Sequence, residues 1–250
     1  MIVRIPVIRG IIKRRMLVNF RAEPEVVQRV LPEPFRPKLY AGHAVVGVCL
    51  IRLEQIRPAR LPGIIGVSSE NAAHRIAVQW NDAQGLHKEG VFIPRRDTDS
   101  LLNRLAGGRL FPGEHRAARF SVTEEGSHID FAMESVDRTV GVKVSGDEDD
   151  SFPSSSCFAS LEQASEFFEG GSLGYSVTRD GDRMDGLLLR TLDWRVRHLA
   201  ITLVHSSFFA DLKRFPKGSV EFDHALIMRN LPHEWHQAED LYSLPQASAW

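Results

Sequence analysis

Lysine is scarce in this 250-residue chain, supplying six of 31 basic residues while arginine supplies the other 25. No lysine lies between Lys88 and Lys143. Imine chemistry needs a lysine amine, so that stretch offers no such nucleophile. Cysteine is nearly absent as well, with Cys49 and Cys157 the full complement. Two thiols make no disulfide framework, and the cytoplasm is the expected compartment. There is no charge excess either: the net charge of -1 argues against a nucleic-acid partner, which selects a basic surface. No apolar run reaches the ~20 residues of a membrane helix, so no membrane partner is expected. The opening MIVRIPVIRGIIKRRM is broken by Arg4, Pro6 and Arg9. It lacks the unbroken apolar core of ~7–15 residues that marks a signal peptide.

The composition, 43% hydrophobic and 25% charged, supports a substantial core. Repeats and low-complexity tracts are missing. The loop signals at residues 58–66, 146–156 and 216–218 are too short for linkers, so residues 1–250 read as a single domain. GDEDDSFPSSS (146–156) reads as a solvated turn, because it lacks the central glycine and later glutamate of a calcium loop.

Strand patterns dominate. Residues 45–53 (VVGVCLIRL) form an almost continuous apolar run, as expected of a strand buried on both faces. In 74–80, Ile76, Val78 and Trp80 share one face and Arg75, Ala77 and Gln79 the other. Further strands are expected near 16–20, 90–94, 116–123, 128–134, 138–145, 175–179, 186–192, 195–205 and 219–228. Four short helices are expected. One covers 23–31, with Pro24 in its first turn. The second, 98–105, has Thr98 or Asp97 as cap and Leu101, Leu102 and Leu105 on one face. The third, 160–168, is capped by Ser160, and the last covers 206–215. The pattern is an α+β fold: a strongly twisted, mostly antiparallel sheet or partly closed barrel with helices outside.

Polar chemistry concentrates in residues 89–119. Arg95-Arg96-Asp97 sits where a strand gives way to a helix, and two adjacent guanidiniums can clamp a carboxylate or phosphate. The plainer alternative pairs one arginine with Asp97 and turns the other to solvent. AGGRLFPGEH (106–115) is a glycine-rich turn flanked by Arg109 and His115, and a structural connector explains it equally well. Glu70, in SSENAAH, reads either as a buried acid or base or as a loop carboxylate. The ten histidines are scattered with no metal-ligand spacing, so neither metal nor cofactor is expected. Cys49 reads as a small core residue.

Four stretches, in order, resemble acetoacetate decarboxylases. RAEPEVVQRVLPEP (21–34) is similar to their early helix, and GVSSENAAHRIAV (66–78) to their Tyr-Thr-Glu-Ser-Gly segment. AGGRLFPGEH is similar to their Gly-Arg-Glu…Pro-Lys-Lys segment, and VEFDHALIMRNLPHEW (220–235) to their Phe-Asp-His-Ala ending. Within that superfamily the chain resembles an uncharacterised bacterial family marked by IPRRDTDS…LNRLAGGRLFPG. The resemblance implies a sheet closed into a cone-like barrel with the site inside. It places Glu70 on a family active-site glutamate and Arg109 on the arginine of Gly-Arg-Glu. The family's paired lysines are missing: Pro112 is followed by Gly113 and Glu114.

No other lysine is well suited. Lys143, in VGVKV, is expected to face solvent, and Lys88 stands beside Glu89, which favours its charged form. The expected function is non-covalent action on an anionic, carboxylate or keto-acid substrate, not Schiff-base decarboxylation. Arg95, Arg96, Asp97 and Arg109 would form the binding set, and Glu70 and His115 would move protons. The alternatives are a binding or sensing protein using the same pocket, or a structural protein. Homo-oligomer formation is left open.

Overall fold

Alternating side chains determine how this chain folds, and a strand whose two faces are both apolar must be covered twice. The computed structural model describes residues 6–62, 66–106, 113–181 and 183–242. The described strands are β1 (Ile8–Ala22), β2 (Arg36–Pro37), β3 (Leu39–Tyr40), β4 (His43–Pro58), β5 (Val67–Asn81), β6 (His87–Thr98) and β7 (His115–Glu125). They continue as β8 (His128–Ser135), β9 (Gly141–Asp149), β10 (Leu173–Val177), β11 (Arg183–Thr191), β12 (Arg197–Ser206), β13 (Val220–Gln237) and β14 (Leu241–Tyr242). The described helices are α1 (Pro24–Arg29), α2 (Leu101–Ala106) and α3 (Leu161–Glu169).

The expected α+β barrel is present, and its closure is double. β6, β7, β8, β9, β12, β13, β1, β4 and β5 pair in turn and return to β6, giving a nine-strand ring. A second circuit leaves β6 through β10 and β11 and rejoins at β13. It closes seven strands: β6, β10, β11, β13, β1, β4 and β5. The pairings of β6 with β7 and with β10 are parallel, and the other pairings are antiparallel. β13, β1, β4 and β5 therefore form a wall shared by both rings. These are long strands of 15 to 18 residues, bent by register shifts such as those at Asn19/Phe20 and Leu53/Ile56.

The shared wall explains the continuous apolar run. Val46, Val48 and Leu50 join the core of the larger ring with Met16, Val18, Ala72 and Ile76. Val45, Cys49 and Ile51 join the second core with Leu17 and Ala77. Phe35 is wholly buried against Trp80 and Phe92 in the larger core, worth about 2–3 kcal/mol of hydrophobic burial.

Ser160 caps α3 as expected, accepting the Gln163 N–H. α2 differs from expectation. Thr98 and Asp97 remain in β6, and the Ser100 hydroxyl accepts the Asn103 N–H instead. Leu101, Leu102 and Leu105 are exposed. In the expected fourth helix, 206–215, Ser206 ends β12 and residues 207–215 form successive turns: the Asp211 carboxylate captures the Lys213 N–H at 3.0 Å, a local bond that competes with helical pairing. β9 also runs on to Asp149, so the acidic stretch is partly strand, with Glu148 paired to Arg197 and Arg229. Among the described residues, no helix is long and apolar enough to cross a membrane.

Candidate functional site

A cavity of about 140 Å³ lies inside the seven-strand ring, with residues from all seven strands in its lining. Its walls are largely apolar: Ile51, Leu53, Val91, Ile93, Leu189 and Trp235 contribute. Three arginines join them, namely Arg15, Arg75 and Arg96. Parity selects this set. On β5, Asn71, Ala73 and Arg75 turn to the cavity, while Ile76 joins the larger core, His74 packs on Phe208 at 4.5 Å, and Ala72, also in that core, touches the cavity edge.

Each guanidinium is held without a carboxylate among the described residues. Arg15 Nε donates to Cys49 Sγ at 3.4 Å, and its guanidinium lies 5.8 Å from the Trp194 ring. Arg75 is buried, lies 4.7 Å from the centre of the Phe168 ring and donates to Asn19 Oδ1, while its Nε has no partner. Arg96 Nε donates to Ser176 Oγ at 3.1 Å. Burial pulls Arg75 and Arg96 down to about 10, so both remain cations at neutral pH. One buried and two half-buried cations without carboxylate partners among the described residues, in a largely apolar chamber, favour an anionic occupant.

His115 pairs with Arg96 in the β6–β7 register and also lines the cavity. Burial, and then the charge of Arg96, lower its pKa to about 3, so the ring is neutral. Nδ1 lies 3.3 Å from the Gly113 carbonyl; as its donor, it leaves Nε2 an acceptor. His115 also lines an outer groove of about 550 Å³ with Leu101, Arg104, Arg116 and Arg179. It therefore stands between groove and interior.

The expected site residues divide. Arg96 and His115 come together at the cavity. Arg95 turns away and binds Asp97 through two bonds of 2.8 and 2.9 Å, with Thr139 as a further partner. Asp97 reaches the lining, but this clamp occupies its carboxylate. Glu70 faces away from the cavity, where it meets Arg14 at 2.7 Å and, more distantly, Arg52. Burial raises its pKa despite these cations. Arg109 lies outside the described residues. Arg15 and Arg75 were missed, although Arg75 was assigned to the face opposite Ile76. An arginine amid small apolar neighbours on that face was the available signal.

None of the six lysines lines the cavity. Lys143 is exposed as expected. Lys38 reaches a small adjoining pocket of about 30 Å³, where Glu89 pairs with it at 2.5 Å. Among the described residues, no three His, Cys, Asp or Glu side chains converge as a metal site.

Comparison with known proteins agrees with this fold. A family model, DUF2071, described as an uncharacterized conserved protein, matches residues 12–215. No curated protein sequence matches the chain. Several solved structures share its fold. The acetoacetate decarboxylase of Legionella pneumophila is 12% identical with a TM-score of 0.60, covering 93% of this chain and 87% of that one. An acetoacetate decarboxylase-like enzyme from Sphingomonas wittichii is 14% identical with a TM-score of 0.59, covering 97% and 95%. The enduracididine biosynthesis enzyme MppR, complexed with pyruvate, is 11% identical with a TM-score of 0.55, covering 97% and 91%.

Proposed function

Since the chain belongs to the DUF2071 family and carries the acetoacetate decarboxylase fold, we propose that its cavity takes a small carboxylate with an apolar body and acts on it without a Schiff base. The observation that carries this reading is the set of three guanidiniums, without carboxylate partners among the described residues, in a largely apolar chamber. Guanidiniums present paired N–H donors that match a carboxylate. The volume limits the rest of the ligand, since a cavity of about 150 Å³ holds benzene. A 2-oxo acid or benzoate-sized anion fits these limits. Pyruvate in MppR, a protein of the same fold, is chemistry of this class.

His115 is the proton-handling group in this reading. Its neutral ring accepts a hydrogen bond, and it becomes a base for a proton beside a carbonyl only when the bound anion offsets the Arg96 charge that helps to depress its pKa. Glu70 acts as a brace through Arg14 rather than as a second base. That same arrangement supports a second reading, in which the pocket binds its anion without turnover.

Calorimetric titration with benzoate, pyruvate and 2-oxobutyrate, against benzamide as neutral control, tests the proposal. The carboxylates bind, benzamide does not, and Arg96→Met weakens binding by about tenfold or more. Equal binding of benzoate and benzamide would overturn it. Deuterium exchange at C3 of 2-oxobutyrate, followed by NMR, separates catalysis from binding alone. Borohydride treatment with pyruvate is expected to leave no lysine adduct, and a trapped adduct would restore the imine mechanism.

A further inference from the structure

One rung of the shared wall carries polar side chains straight to the cavity. His224 on β13 pairs with Asn19 on β1, Asn19 pairs with Gly47 on β4, and Gly47 pairs with Arg75 on β5. Gly47 leaves the gap that this rung needs. A Cβ there would stand 2.5 Å from the Val18 carbonyl oxygen and 3.2 Å from Asn19 Oδ1. With no side chain on β4, Asn19 reaches past it to Arg75.

We propose that Asp223, His224 and Asn19 form a positioning relay that fixes Arg75 for anion binding, so that affinity at the cavity is set partly by groups that do not line it. This rests on the reading of the cavity as a carboxylate site. Asp223 Oδ2 lies 2.6 Å from His224 Nδ1 and accepts the Ser156 hydroxyl, while Oδ1 accepts the Cys157 N–H. A carboxylate only accepts, so His224 carries its proton on Nδ1. Nε2 is then an acceptor, and Asn19 Nδ2 donates to it at 3.0 Å. The same amide nitrogen donates to the Leu17 carbonyl at 3.0 Å. Both Asn19 donors are thereby used, and Oδ1 is left to accept from Arg75. Every bond in the chain runs in one direction, and reversing any group leaves a buried donor or acceptor unmatched.

His224 and Asn19 are wholly buried, and the rings of Phe152, Phe158 and Phe168 pack around the imidazole. Asn19 holds Arg75 through Nη2 and the Phe168 ring lies 4.7 Å from the guanidinium carbon, which leaves donors other than Nη2 for a ligand. A guanidinium fixed in advance loses less freedom when the ligand arrives.

Two variants at one position isolate the relay. His224→Gln places an amide oxygen where Nε2 stood, while His224→Asn is too short to reach Asn19. Both disturb the Asp223 end and the packing, so both lower the melting temperature. Benzoate affinity is expected to stay within about threefold of the parent in His224→Gln and to fall about tenfold in His224→Asn. Equal affinity in the two variants, with the parent binding benzoate, would overturn the relay but leave the cavity reading intact. If the parent binds neither benzoate nor pyruvate, the cavity reading fails. Nitrogen-15 NMR of the unmodified protein then decides the relay alone. It requires the Nδ1-protonated tautomer at His224 and slowed rotation of the Arg75 guanidinium, and an Nε2–H signal at His224 would refute it.

Discussion

Asp223→Asn keeps the shape of a buried carboxylate but removes its charge and turns one of its two acceptor atoms into a donor, so only the part of its cost that varies with pH reports the charge. Burial by itself would raise the Asp223 pKa. The hydrogen bonds from His224, Ser156 and the Cys157 N–H outweigh burial and bring the group from an ordinary 3.8 to about 2. A folded pKa below the unfolded one means that the native state favours the ionised form. The stabilisation is therefore complete above about pH 4 and is lost as pH falls towards 2. At ~1.4 kcal/mol per pKa unit, the difference is worth about 2 kcal/mol. In a chain of this length that is about 4–8 °C in melting temperature. Urea unfolding of parent and variant at pH 7, 5, 4 and 3 reads it directly. The gap should hold level from pH 7 to 5 and narrow below pH 4, by about 1 kcal/mol at pH 3, the mispaired amide leaving a remainder that does not vary with pH. A gap of the same size at every pH would show that packing, not charge, is responsible, and the electrostatic argument would fail.

Three further outcomes are expected. Gly47→Ala drives a methyl group into the Val18 carbonyl and towards Asn19, so thermal melts should show a loss of about 1–3 kcal/mol, and an unchanged melt would show that the wall can yield there. Cys49 lines the cavity beside Arg15 and Cys157 does not, so benzoate should slow alkylation of Cys49 by iodoacetate, read by mass spectrometry, without protecting Cys157. His115 is neutral far below pH 6, because its pKa is lowered to about 3, so benzoate affinity should show no inflection between pH 5 and 8 that His115→Asn removes. Such an inflection would place its titration in the ordinary histidine range.

Much of the sheet was readable from alternation, as with Ile76, Val78 and Trp80 against Arg75 and Ala77. The choice of face was not, because the wall is apolar on both sides and each face has its own core. The resemblance, not alternation, grouped Glu70 with His115, and one step of parity separates Glu70 from Asn71 at the cavity. The Arg95–Asp97 pair followed the plainer expectation, and Arg96 did not, since it turns to the cavity rather than to solvent. Arg15 and Arg75 were hidden by abundance, because a chain with 25 arginines makes no single one conspicuous. The leucines of α2 failed as a core signal because, among the described residues, nothing covers the outer face of this six-residue helix.

The wall between the two rings also bears on how such a protein can change. Along β4 and β5 near the cavity, neighbouring positions answer to different chambers: Cys49, Ala73 and Arg75 to one, Val48, Leu50 and Ile76 to the other. Replacing the first set can alter what the chamber accepts while the residues that fill the larger ring stay in place. A library confined to residues 15, 49, 73, 75 and 96 would sample new ligands on an otherwise constant frame. Residue 47 would have to stay glycine, since it is where one chamber's polar rung crosses the strand that both chambers use.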